Sequence, residues 1–196
     1  MGQLLYVEDE ADLRRSVARV LGLMPHVVRE AACVYEAREL VAAERGWCGF
    51  IVDHRLPDGE GLSLLDELSE AHPGVPTMLA SGEVAAELAN ACARRGVTYV
   101  VKPFGVPELE RFAQRAARFD TQRGALDEGL RVLAHKTRMT EREHEVLRLA
   151  VVNGFGHAPI ADALGITRHT VKTHIRRVLR KSGTRSLDLL RARFRR

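Results

Sequence analysis

Four segments of this sequence place polar or charged side chains immediately after short apolar runs. Glu8 and Asp9 follow the first run, and Asp53 follows Phe-Ile-Val in a later one. Ser81 and Lys102 end two further runs. If the runs are parallel strands of one sheet, their carboxyl ends meet at a single edge, where α/β proteins bind ligands. The sequence therefore predicts a site with carboxylates, a hydroxyl and an ammonium.

This set of groups suits a phosphoryl group carried on a carboxylate. Adjacent carboxylates such as Asp9 and Asp53 repel each other unless a hard cation neutralises them, and Mg²⁺ prefers such oxygen ligands. The cation and Lys102 would balance phosphoryl charge, and Ser81 could donate to a phosphoryl oxygen. Taken one at a time, these residues have simpler interpretations. Glu8 and Asp9 could belong to the charged start of a helix, Ser81 could cap a helix, and Lys102 could be a solvated loop residue. Their joint position at successive strand ends favours the site.

The elements that would position these residues alternate along the first part of the chain. The predicted strands are Gln3–Val7, Val27–Val28, Phe50–Val52, Pro76–Ala80 and Val97–Val101. Helical spacing of apolar residues follows each strand. Five βα units in succession predict an α/β fold with a doubly wound parallel sheet, whose strand order this pattern leaves open.

Charge is distributed unevenly along the 196 residues, whose net charge is +4. Residues 1–118 carry 13 Lys/Arg against 18 Asp/Glu, a net −5, and residues 119–196 carry 17 against 8, a net +9. The asymmetry predicts two domains, the second facing a polyanion, either nucleic acid or an acidic membrane surface. No apolar run reaches the roughly 18 residues of a membrane helix. The three cysteines are far apart in the sequence, and we expect them to be buried free thiols in a reducing cytosol.

A polar stretch connects the two predicted domains. Residues 119–136 contain Gly124 and Gly129, but Leu126, Leu130 and Leu133 keep helical spacing. We therefore expect a partly helical linker.

The last part of the chain is predicted to be all helical. Thr140 and Glu143 form a capping box, and Pro159 opens a short helix that Gly165 ends. Thr167 caps a third helix with a buried stripe of Val171, Ile175 and Val178. Its opposite face presents Lys172, Thr173, Arg176 and Arg180. A short helix, a tight turn and a basic helix predict helix-turn-helix geometry, with the basic helix sized for the major groove.

The motifs YVEDE, IVDHRLPDGEGL, LASGE and VKPF resemble the receiver domain of bacterial two-component response regulators, over about residues 1–118. The resemblance implies a flavodoxin-like strand order 2-1-3-4-5 and a commonly cis Lys-Pro bond. It also implies a role for each site residue: Asp53 as phosphoacceptor, Glu8 and Asp9 as metal-binding acids, the Arg55 main-chain carbonyl as a metal ligand, Ser81 and Tyr99 as the switch pair, and Lys102 as the phosphate contact.

Residues 137–196 resemble the LuxR-type helix-turn-helix of the NarL/FixJ group, through MTEREHEVLRLA and IADALGITRHTVKTHIRRVLRKSGTRS. The match implies base-facing positions for Lys172, Thr173 and Arg176, and backbone contacts for Arg168, His174 and Arg177. Where the family usually has Asn-Lys-Glu, this chain has His157-Ala158-Pro159, which removes possible polar contacts. The final leucines (Leu187, Leu189 and Leu190) could serve dimerisation or the core.

Together these features predict a cytoplasmic response regulator. A sensor histidine kinase would phosphorylate Asp53 with Mg²⁺, and the phosphoryl group would control homodimerisation and binding to double-stranded DNA, without a membrane partner and without metabolic catalysis. His54 is expected to be structural, and the effect of Arg55 on phosphoryl lifetime stays open. One alternative is an aspartyl-phosphate phosphatase or phosphotransferase, but the DxD pair of such enzymes is missing because His54 and Arg55 follow Asp53. Another is a receiver with a protein-binding output domain.

Overall fold

A computed structural model describes residues 2–194, which divide into two compact units between Asp120 and Thr121. The first unit holds a five-stranded parallel sheet. Its strands are β1 (Gln3–Val7), β2 (Val27–Ala31), β3 (Trp47–Asp53), β6 (Thr77–Ser81) and β7 (Thr98–Val101). They lie in the order β2-β1-β3-β6-β7, which is the order that the receiver resemblance implied. A separate two-stranded hairpin, β4 (Arg55–Leu56) with β5 (Gly59–Glu60), follows β3.

Helices cover both faces of the sheet. They are α1 (Ala11–Leu21), α2 (Val34–Ala43), α3 (Gly61–Ala71), α4 (Ala86–Arg95) and the start of α5 (Val106–Lys136). One core forms around Trp47, Phe50 and Leu65, and another around Leu4, Ile51 and Phe112. Alternate residues of β3 therefore enter opposite cores, as the period of a strand requires.

Two predicted strands were too short. β2 continues through Arg29 and Glu30 because it is an edge strand, where charged side chains can reach solvent. β3 begins at Trp47, and all seven of its residues are buried in the centre of the sheet. The predicted starts of the last two strands, Pro76 and Val97, precede the observed ones by one residue.

The hairpin after β3 is tied to α2 by Asp58. Its two carboxylate oxygens accept the backbone N–H groups of Val34 and Tyr35, both at 2.8 Å. These bonds, that from Val34 first, lower the pKa of Asp58 and cap the positive end of α2. The loop beyond Asp53 is thus anchored to a helix.

The second unit is helical. It contains the end of α5, then α6 (Glu141–Val151), α7 (His157–Leu164), α8 (Arg168–Ser182) and α9 (Leu187–Arg193). The capping box of Thr140 and Glu143 is confirmed, and Thr167 caps α8 as predicted. Pro159 does not open its helix: α7 begins at His157, so the proline occupies the third position. It is tolerated there because first-turn N–H groups have no helical acceptor.

The predicted linker is helical throughout, since α5 runs without a break to Lys136. Gly129 lies within this helix, and a Cβ there would lie 2.7 Å from the ring of Phe194, so the glycine leaves room for that ring. Leu190 is fully buried and Leu187 partly buried in the same core, whereas Leu189 is 58% exposed. Within the described residues, no helix is both long and apolar enough to cross a bilayer.

Of the three cysteines, Cys48 and Cys92 are buried thiols outside any disulfide, as expected. Cys33 is also outside any disulfide, but it is only partly buried, at the position before α2. The expectation of burial was therefore wrong for Cys33.

Candidate functional site

Strand register brings the predicted polar residues to one edge of the sheet. Val7 of β1 pairs with Val52 of β3, so Glu8 and Asp53 follow at the same level. Ser81 of β6 pairs with Val101 of β7, and the Lys102 N–H donates to the Ser81 carbonyl at 2.7 Å. The Lys102–Pro103 peptide bond is cis, as the resemblance implied.

Lys102 links the two buried carboxylates. Its Nζ lies 2.6 Å from Glu8 Oε2 and 2.7 Å from Asp53 Oδ1. Burial opposes the ammonium charge, but the hydrogen bonds and negative charges of Asp53 and Glu8 outweigh it and raise the pKa of Lys102. The lysine therefore stays positive at neutral pH, next to the Asp53 carboxylate.

Glu8 has a second hydrogen-bond donor within the core. The hydroxyl of Tyr6, a fully buried residue, donates to Glu8 Oε2 at 3.1 Å. Burial is the main reason that the pKa of Glu8 is raised, and the bonds from Lys102 and Tyr6 work against that rise. Burial first, and then the charge of Glu8, raise the pKa of Tyr6, so its phenol remains a donor.

Three carboxylates could hold a cation here. Glu8, Asp9 and Asp53 each offer an oxygen, and these oxygens lie within 4.8 Å of one another. Glu8 and Asp53 are buried while Asp9 is exposed, so the group opens to solvent on one side. Hard oxygen donors with an open side fit Mg²⁺, which retains several waters in protein sites.

The loop after β6 is held by side chains that converge on Glu83. The Ser81 hydroxyl donates to the Glu83 carbonyl at 3.1 Å, and the half-buried Tyr99 donates to the same oxygen at 2.6 Å. Arg55, in the hairpin after β3, pairs with the Glu83 carboxylate at 2.7 Å. The predicted residues Ser81, Tyr99 and Arg55 are thus joined through a residue that the sequence analysis did not select.

In the second unit, α7, a turn and α8 form a helix-turn-helix. Gly165 makes the turn with φ of +62°, a conformation that favours glycine. Among the predicted DNA contacts, four basic side chains on α8 are exposed: Arg168, Lys172, Arg176 and Arg177.

The two remaining predicted contacts are less accessible. Thr173 is half-buried, and its hydroxyl donates to the His169 carbonyl at 3.1 Å. His174 is also half-buried, and its Nδ1 is a buried atom. The four arginine and lysine side chains are therefore more exposed to solvent than Thr173 and His174.

Polar contacts fix α8 against its neighbours. Lys181 Nζ lies 2.5 Å from the buried Glu143 carboxylate and 2.9 Å from the Arg138 carbonyl. Arg142 donates to the carbonyl of Leu164 at the end of α7. Although burial opposes it, the Lys181 hydrogen bond is the chief reason that the pKa of Glu143 is lowered. Polar contacts therefore join α8 to α6, and α6 to the end of α7.

Comparison with known proteins identifies both units. Residues 4–114 match the response regulator receiver domain family, and residues 137–190 match the luxR family of bacterial regulatory proteins. The chain is a response regulator of the NarL/FixJ family. It therefore belongs to a two-component system and regulates transcription through its LuxR-type DNA-binding domain.

Two relatives match this response regulator over about nine tenths of their own length. It is 31% identical to the DNA-binding transcriptional activator DevR/DosR of Mycobacterium tuberculosis, over 93% of this chain and 89% of that protein. It is 28% identical to the transcriptional regulatory protein FixJ of Rhizobium meliloti, over 94% of this chain and 90% of that one. The solved structure of the response regulator StyR matches with a TM-score of 0.59 at 24% identity over 98% of both chains, a likeness in fold.

Sequence reasoning missed Tyr6 and Glu83. Tyr6 lies in β1 and Glu8 directly follows that strand, so the alternation of side chains along the strand could have pointed to their contact. Glu83 binds Ser81 and Tyr99 through its backbone carbonyl and Arg55 through its carboxylate. Any residue type has a backbone carbonyl, so the sequence could not identify that contact.

Proposed function

We propose that this response regulator is switched by Mg²⁺-dependent phosphorylation of Asp53 by a sensor histidine kinase. The contact of Lys102 Nζ with Asp53 Oδ1 at 2.7 Å, beside the carboxylates of Glu8 and Asp9, carries the proposal. Burial of a carboxylate without a partner costs free energy. The Lys102 ammonium offsets that cost for Asp53, and Glu8 and Asp9 supply further oxygens for a metal ion.

In the proposed reaction an Asp53 oxygen attacks the phosphorus of the kinase phosphohistidine. The P–N bond breaks, its electron pair stays on the imidazole, and that ring takes a proton from solvent. Glu8, Asp9, Asp53 and the main-chain carbonyl of Arg55 would hold Mg²⁺, which neutralises charge on the transferring group. Lys102 offers a positive charge that is already in place, so little reorganisation is needed.

The proposed switch uses Ser81 and Tyr99. A phosphoryl oxygen on Asp53 would compete with the Glu83 carbonyl for the Ser81 hydroxyl. Drawing Ser81 inward would shift the loop that Tyr99 also binds, and thus change the surface formed by α4, β7 and α5. Because the switch is a population shift, the phosphoryl group must bind the active arrangement more tightly.

The proposed output is a DNA-binding homodimer. We assign residues 1–118 to the receiver, 119–136 to a helical linker and 137–196 to the DNA-binding domain, with Met1 and residues 195–196 outside the described structure. Lys172, Thr173 and Arg176 would meet base edges, and Arg168, His174 and Arg177 the backbone. Two such domains would read half-sites about one helical turn apart. Because its target is DNA, we place the protein in the cytoplasm, as a regulator without a metabolic reaction.

Asp53 can be tested by labelling with acetyl phosphate. Asp53→Asn should abolish incorporation, since an amide oxygen is a poor nucleophile, and EDTA should abolish it in the wild type. Asp12→Asn, which changes an exposed carboxylate on α1, serves as the matched control and should label normally. Undiminished labelling of the Asp53→Asn variant would reject the assignment.

A further inference from the structure

The Tyr6 hydroxyl is a buried polar group that the proposed phosphorylation chemistry leaves without a role. Tyr6 is fully buried among apolar residues that include Leu21, Ile51 and Phe112. A phenylalanine would fill most of this volume, so packing alone does not require the hydroxyl. The hydroxyl reaches out of the core to one acceptor, Glu8 Oε2, at 3.1 Å.

The two donors to Glu8 converge on the same oxygen. Oε2 accepts from both Tyr6 and Lys102 Nζ, the latter at 2.6 Å, and Glu8 is only 1% exposed. Within the described residues, Oε1 accepts no side-chain hydrogen bond. Two donors therefore hold the Glu8 carboxylate, which is also part of the acidic group of Glu8, Asp9 and Asp53.

We propose that Tyr6 is a positioning residue for metal binding, holding the Glu8 carboxylate in the orientation in which it can serve a divalent cation. This inference rests on the proposed Mg²⁺ site. Lys102 cannot supply the same restraint alone, because its Nζ is shared with Asp53 at 2.7 Å. When Lys102 turns toward a phosphoryl group on Asp53, the Tyr6 hydroxyl remains as the fixed donor to Glu8.

A hydrogen bond that orients a metal ligand strengthens metal binding, because a carboxylate that is already oriented loses less conformational freedom when the metal binds. Loss of a hydrogen bond that orients a metal ligand typically weakens metal binding by about 10-fold or more. Tyr6→Phe removes only the hydroxyl and keeps the ring in the core. Tyr35→Phe is the matched control, because Tyr35 is 66% exposed on α2.

The test is calorimetric titration of the full chain with MgCl₂. Wild type and Tyr35→Phe should bind alike, and Tyr6→Phe about 10-fold more weakly. Thermal unfolding without metal checks that each variant is folded at the titration temperature. A Glu8→Ala background separates positioning from loosened packing, because there Tyr6→Phe should cause no further loss of Mg²⁺ affinity.

Equal Mg²⁺ affinity of the wild type and Tyr6→Phe would overturn the role of Tyr6 and leave the metal site intact. An equal loss from Tyr6→Phe with and without Glu8 would also overturn it, since the effect would then not act through Glu8. Absence of Mg²⁺ binding by the wild type would instead reject the proposed metal site, and the role of Tyr6 with it.

Discussion

Arg55 and Glu83 form an ion pair between the two loops that flank Asp53. Their nitrogen and oxygen atoms lie 2.7 Å apart, and both side chains are largely exposed. The pair joins the hairpin after β3 to the loop that Ser81 and Tyr99 hold. On phosphorylated protein it would restrict the approach of water to the phosphoryl group, since the two loops could not separate freely.

Breaking this pair should shorten the life of the phosphoryl group. Arg55→Ala and Glu83→Gln should each raise the rate of dephosphorylation by about threefold, the size expected for one exposed ion pair, and the double variant should be no faster than either. Arg38→Ala, which breaks the exposed Arg38–Glu67 pair between α2 and α3, is the control and should leave the rate unchanged. The decay of labelled protein gives these rates. Slower decay, or full additivity, would contradict the proposed restriction of water.

At the scale of single elements, α8 carries the expected contact with DNA. Lys172→Ala and Arg176→Ala should each weaken specific binding by about 1–3 kcal/mol if the side chains reach base edges. Lys136→Ala removes the same charge from an exposed position at the end of α5 and should have a much smaller effect. Fluorescence anisotropy at several salt concentrations measures both affinity and its salt dependence.

The salt dependence distinguishes base contacts from phosphate contacts. If Lys172 touches only phosphates, its loss should weaken binding to all sequences alike and reduce the salt slope by about one unit. Unchanged affinity in both α8 variants would mean that another face of the domain meets DNA.

The elements also show where sequence reasoning succeeds. The apolar runs and caps predicted five strands and the positions of Thr140 and Thr167, because these depend on local periodicity and hydrogen bonding. The extent of β2 and the unbroken α5 could not be predicted. They depend on tertiary context: an edge position that accepts Arg29 and Glu30, and the packing of Leu130 and Leu133 of α5 into the core of the second unit.

The candidate site likewise has features that the sequence predicts and features that depend on the folded structure. Strand ends and the family resemblance predicted the grouping of Glu8, Asp9, Asp53 and Lys102, since parallel strands bring their carboxyl ends together. Which oxygen each donor binds, as in the Tyr6–Glu8 contact, depends on side-chain orientation and emerges only from the folded structure.

At the scale of the whole molecule, a change at Asp53 must alter assembly if the proposed switch is to control transcription. A single DNA-binding domain contacts one half-site, so pairing two chains adds the binding of the second half-site and raises affinity for a two-fold operator. The acidic receiver, with net −5, would by itself repel DNA, and the basic segment, with net +9, would attract it. The proposed dimerisation through the receiver would therefore supply the selectivity for an operator that charge alone does not.

Sedimentation velocity with and without beryllofluoride and Mg²⁺ tests this central claim most directly. Beryllofluoride mimics the phosphoryl group on Asp53 without being hydrolysed. The wild type should sediment as a monomer without it and as a dimer with it, while Asp53→Asn should remain a monomer in both conditions. A chain that stays monomeric in both conditions yet binds its operator, or one that is already a stable dimer without beryllofluoride, would contradict the proposed switch.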